Sequence, residues 1–195
     1  MSTGLTDRKL LAGTPDGVYR VDGTVEYALP GVSVRQLRTR GSAVLAATGE
    51  GLFRTDGGNN WQRVETPVTN VYTVLPTEGR LFAGVLPAAV LVSADGNTFE
   101  RLSGFERLAN SAAWPTNPQQ DRARVRSLAA PQEGVLLAGM EVGGLAVSRD
   151  GGETWRMVPA VPDDVHHVLP VTGDRWIVSC GTGGGGRRLR DPRRR

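Results

Sequence analysis

The chain has 195 residues, 39% hydrophobic and 6% aromatic, with 26 glycines and 12 prolines, enough length for a full core in a composition weighted towards turns. Its formal charge of +3 is a property of one end: six arginines against Asp191 place +5 in residues 187–195 and leave −2 on the first 186. Without basic residues interleaved with aromatics in the body, nucleic acid is excluded as an expected partner. The single cysteine, Cys180, excludes an internal disulfide framework. No apolar run approaches the ~18 residues of a membrane span, and the N-terminal stretch lacks an apolar signal-peptide core. The expectation is a cytoplasmic protein with no membrane partner and no cofactor.

In chain order, KLLAGT, GVYRVD and TVEYAL read as three short strands. VSVRQLR, AVLAAT, GLFRTD and WQRVE give four more, as do VYTVLPT, RLFAGV, AVLVSAD and TFERLS. A polar, proline-containing insertion over residues 104–124 follows, long enough to be a functional loop. VRSLAAP, GVLLAGM, GGLAVSRD and TWRMVP form another set of four, and HHVLPVT with RWIVSCGT begins a last set. No stretch sustains helical periodicity.

These sets are repeats. The apolar runs beginning at Leu10, Val44, Leu81 and Leu136 are spaced 34, 37 and 55 residues apart, with the insertion filling the longest gap. Downstream of each lies an Asp/Gly turn. SRDGGETW places Ser148, Asp150, Gly152 and Trp155 at fixed intervals; FRTDGGNNW repeats them as Asp56, Gly58 and Trp61, and SADGNTF as Ser93, Asp95 and Phe99. The predicted class is all-β, a propeller of four-stranded antiparallel blades comprising about four blades and part of a fifth over residues 1–186.

The turn motif resembles the Asp-box, or BNR repeat, of sialidase-like and related β-propellers, over roughly residues 10–182. The resemblance implies that the box fastens a blade's third strand to its fourth, away from the ligand face, so Asp56, Asp95 and Asp150 are expected to be structural. An aspartate at a turn accepts backbone N–H bonds, and the aromatic residue covers apolar neighbours. The first unit lacks its innermost strand and the last is unfinished, which leads us to expect a truncated propeller whose open edges self-associate. The tail RRLRDPRRR begins where the fifth unit's third strand belongs, and is expected to be an out-of-frame translation of that strand.

The presumed ligand face is opposite the boxes. The insertion offers it Trp114, Asn117, Arg122 and Arg124; the VPDDVHH loop offers Asp163, Asp164, His166 and His167; Asp16, Glu50 and Glu141 come from loops within blades. A metal site is not expected, because adjacent residues of a strand point to opposite faces and His166 and His167 cannot easily share an ion. Acid/base chemistry would pair Asp164 or His166 with Glu141. The sialidase resemblance implies an N-terminal Phe/Tyr-Arg-Ile-Pro segment and a Tyr/Glu nucleophile pair; the segment is missing here, and Tyr19, Tyr27 and Tyr72 all read as strand residues. The favoured expectation is therefore a non-catalytic module binding a protein, small molecule or glycan, with a glycosidase-like hydrolase as the alternative.

Overall fold

Runs of Val, Leu, Ala and Thr only five to seven residues long, cut by Gly, Pro and Asp, are too short for stable helices and suit pleated strands. The computed structural model describes residues 10–21, 24–57, 60–112, 114, 123–159, 161–181 and, as backbone, 187–190. Five antiparallel sheets follow one another along the chain, each a meander in sequence order. The first holds β1 (Leu10–Thr14), β2 (Gly17–Val21) and β3 (Val25–Pro30). The second holds β4 (Val34–Arg40), β5 (Ala43–Thr48), β6 (Leu52–Asp56) and β7 (Gln62–Val64), and the third β8 (Val71–Pro76), β9 (Leu81–Val85), β10 (Ala89–Ser93) and β11 (Glu100–Arg101). The fourth holds β12 (Arg124–Gln132), β13 (Val135–Glu141), β14 (Gly144–Ser148) and β15 (Arg156–Met157), and the fifth β16 (Val165–Thr172), β17 (Arg175–Cys180) and β18 (Arg187–Arg190). Such stacked meanders are the blades of a β-propeller, and no sheet closes on itself. In β18, residues of the arginine-rich tail pair with β17, Arg187 opposite Val178 and Arg190 opposite Arg175.

The blades are joined by a recurring seat. In each of the first four, a small residue of the second-strand motif faces the first valine of the next blade: Gly13 faces Val34, Gly84 faces Val125 and Gly139 faces Val165. In blade two, Ala47 holds the same place, in one core cluster with Val71. A Cβ on Gly84 would lie 2.6 Å from the Val125 carbonyl oxygen, and one on Gly139 would lie 2.6 Å from Val165 Cγ1, so neither seat has room for it. Gly139→Ala is expected to lower stability by about 1–3 kcal/mol through overpacking, read from urea denaturation. An unchanged midpoint would show that Val165 does not need the seat.

The insertion contains a helix that sequence periodicity did not predict, α1 (Ser103–Ser111). Two turns carry too few apolar positions to register as a period, and tertiary contacts hold them instead. Phe105 is fully buried, with its ring 5.2 Å from Trp155 in an edge-on arrangement and 6.0 Å from Trp114. Gly104 lies so close to the Gly152 and Glu153 carbonyls that a side chain there would clash. The helix is thus clamped to blade four's Asp150 turn.

The turns themselves are hydrogen-bonded. Asp150 accepts from Ser148 Oγ (2.8 Å), the Thr154 N–H (2.9 Å) and the Thr154 hydroxyl, while Trp155 Nε1 donates to the Gly152 carbonyl. Asp95 accepts from Ser93 Oγ, Asn97 N–H and Thr98 N–H, and Phe99 is buried beside it. In blade two, Asp56 pairs with Arg54 at 3.3 Å and Trp61 is half-buried; Gly58 lies outside the described residues.

These bonds hold both turn aspartates at about 2, below their ordinary 3.8, chiefly through the Thr98 N–H for Asp95 and the Thr154 hydroxyl for Asp150. A depressed carboxyl contributes stability that is complete above its unfolded value and lost as pH falls through the folded one. Thermal melts between about pH 5 and 2 should therefore fall less steeply for Asp150→Ala than for the parent. At neutral pH, Asp150→Ala and Asp95→Ala should each lower Tm more than Asp56→Ala.

Candidate functional site

The inner strands β4, β8, β12 and β16 lie side by side, and each begins with the same irregularity. The register slips by one residue between Val34 and Gln36, Val71 and Thr73, Val125 and Ser127, and Val165 and His167. A bulge re-aims the extra residue, and here it sorts three side chains. The valine faces the preceding blade's seat. In blades two and four the third residue reaches the following blade: Gln36 Oε1 accepts from Val74 N–H (2.8 Å) and the Thr73 hydroxyl, and Ser127 Oγ accepts from Val168 N–H (3.0 Å). The bulged residue is left between them on the open end of the arc: Arg35, Tyr72, Arg126 and His166, each exposed or half-buried.

These positions meet. The Arg35 guanidinium stacks on Tyr72, 3.7 Å from the ring centroid, while its Nη1 donates to Asn70 Oδ1 and the Val71 carbonyl. Arg124 lies 5.7 Å from the same centroid and grips Glu141 through Nε (3.0 Å) and Nη2; Arg126 donates to the same carboxylate. Burial pushes Glu141 up, but the hydrogen bonds from Arg124 and Arg126 outweigh it and hold the carboxyl below its ordinary value. Beyond it, Asp164 bridges to Glu141 through the backbone, and its Oδ1 lies 3.0 Å from His166 Nε2.

The loops that present this cluster are tied together. Gly143 and Gly144 both donate backbone N–H bonds to the Asp163 carbonyl (2.6 and 3.0 Å), and the Gly181 N–H donates to the Asp164 carbonyl (2.9 Å). Between Glu141 and Gly143, Val142 sits at φ 60°, a left-handed conformation that a β-branched residue rarely adopts. Relieving it offsets glycine's entropy cost. Val142→Gly is expected to be neutral or stabilising by up to about 1 kcal/mol in denaturant melts; a loss of more than that would show that the Val142 side chain is itself a needed contact.

Glu141, Asp164 and His166 are therefore neighbours, with one potential ligand atom from each within 4.8 Å of the others. They could coordinate a divalent cation only in competition with the two arginines already on Glu141. Arg124 joins this group. Asp163 contributes its backbone carbonyl, and its side chain is exposed. His167 is exposed and takes the register position that Gln36 and Ser127 occupy in their strands. Trp114 packs against Phe105 at the rim, and Asn117 and Arg122 lie outside the described residues. Arg35, Tyr72 and Arg126 were not singled out by sequence; the recurring Val-x-(Gln/Thr/Ser/His) at each inner-strand start is the signal that marks them. A cleft of about 500 Å³ lies elsewhere, at the turn end between blades three and four, bordered by Thr77, Arg80, Gln132 and Gly151.

No protein-family profile and no curated protein matches this chain. Solved structures do. A GH74 xyloglucanase from Xanthomonas campestris superposes with a TM-score of 0.67 at 18% identity, over 92% of this chain and 34% of the enzyme. A structure described as YCF48 bound to D1 peptide gives 0.66 at 20% identity, over 95% and 62%. The extracellular domain of a hybrid two-component system, BT4673, from B. thetaiotaomicron gives 0.67 at 15%, over 98% and 27%. The chain spans less than two thirds of each. At these identities the likeness establishes the propeller fold.

Proposed function

We propose that the chain is a non-catalytic Asp-box propeller, a binding or scaffold module whose protein, small-molecule or glycan ligand sits on the face carrying Arg35, Tyr72, Arg124, Arg126 and Glu141. One observation carries this reading: Glu141, the best-placed carboxylate, is already engaged. Two arginines bond both its oxygens and lower its pKa. A glycosidase needs one carboxyl raised enough to deliver a proton and a second free to act as base or nucleophile. A clamped, acidified Glu141 serves neither role; it orients arginines. That a similar propeller is known bound to a peptide supports the same reading.

The alternative, a glycoside-hydrolase-like activity, draws support from the xyloglucanase likeness. A single experiment separates the two. The chain is incubated with xyloglucan oligosaccharides and sialyllactose and the products are followed by chromatography. The binding reading expects no cleavage. Turnover by the parent that disappears in Glu141→Gln, with the fold intact by circular dichroism, would overturn it.

A further inference from the structure

The bulge recurs at one position in four successive inner strands, and in blades two to four the residue it displaces is the most exposed of the three. Arg35, Tyr72, Arg126 and His166 therefore form a row, one side chain per blade, across the open end of the arc. Conserving a kink while varying the residue on it is how a repeat can alter recognition without altering packing. Resting on the binding-module reading above, we infer that these four bulge positions are the ligand-reading positions of their blades, and that the ligand is an extended peptide presenting carboxylates to Arg35 and Arg126 on either side of Tyr72.

The chemistry of the row selects that class. Arg126 commits Nη1 to Glu141, and Arg35 commits Nη1 to Asn70 and the Val71 carbonyl, so each exposed guanidinium keeps further N–H donors in an orientation fixed by those bonds. A guanidinium fork held in place fits a carboxylate bidentately, with less ordering left to do on binding. An extended chain suits the site because the four positions lie on parallel neighbouring strands, spaced as a row rather than gathered into a pocket. Tyr72 argues against a nucleic-acid strand, the other extended anion. Arg35 already lies over its ring and Arg124 is 5.7 Å from the same centroid, which leaves the tyrosine a poor platform for a stacked base. At the blade-five end, Asp164 beside His166 reverses the sign of the row, which disfavours a uniformly charged polyanion and favours a peptide with acidic residues towards blades two to four.

The test uses the full chain and a fluorescein-labelled glutamate-containing peptide, followed by anisotropy at low and moderate salt. The same peptide with glutamine in place of glutamate, and a single-stranded oligonucleotide, serve as competitors. The expected result is competition by neither, affinity that falls with salt, and a roughly tenfold loss in each of Arg35→Ala and Arg126→Ala. Arg101→Ala, on an outer strand, should bind as the parent does, and Tyr72→Phe should bind better than Tyr72→Ala. If Arg126→Ala fails to fold, Arg126→Gln with a matched melting curve replaces it. Binding of the glutamine peptide as tightly as the glutamate one, preference for the oligonucleotide, or unchanged affinity in both arginine variants would each overturn the assignment while leaving the binding-module reading standing. Glycan turnover would remove that reading itself.

Discussion

Everything in this arc depends on one steric fit: the first valine of a blade lodged against a residue of the preceding blade that has little or no side chain. Gly13, Ala47, Gly84 and Gly139 supply the hollow, and Val34, Val71, Val125 and Val165 fill it. The contact fixes how closely consecutive inner strands approach. It also explains a composition that would otherwise look costly, since glycine in a strand interior weakens it unless another backbone must come near. Three of the four hollows are glycine because β-carbons there would meet the next blade at less than 3 Å.

The valine's inward turn creates a second requirement. A strand alternates its side chains, so a residue two places on would also face the preceding blade, and nothing would reach forward to the next. The bulge resolves this. By inserting one residue, it turns Gln36 and Ser127 towards the following blade, where they accept from the N–H groups of Val74 and Val168. The displaced residue is left outside the core, exposed or half-buried. The recognition positions proposed for this molecule thus arise as a by-product of how the blades are fastened.

The sequence carried the architecture unevenly. Repeating LLAGT-like runs and Asp/Gly turns were legible because strand length and turn residues are local properties, and the fourfold meander follows from them. The helix Ser103–Ser111 was not, because its support is Phe105 between Trp114 and Trp155, a tertiary contact with no periodic trace. The neighbourhood of Glu141, Asp164 and His166 could be proposed from loop positions, as could Arg124, but the second arginine upon Glu141 could not. Arg126 reads as an ordinary polar residue of a strand until the bulge before Ser127 is known. Register slips are set by contacts between blades, which a single sequence does not record.

The two ends of the blades have consequently been given different physics. At the turn end, aspartates accept several hydrogen bonds each from their own loops, so they are local fasteners that work whether or not neighbouring blades are present. At the open end, by contrast, Arg35 reaches Asn70 in the next blade, and Glu141 and Asp164 are joined across another boundary. These two links exist only when adjacent blades are docked. A ligand spanning several blades would therefore sense the assembly and stabilise it in turn, since binding to the docked state draws the equilibrium towards it. That coupling separates the two classes of residue in principle: loss of a turn aspartate weakens a blade, whereas loss of a bulge arginine weakens what the row of blades does together.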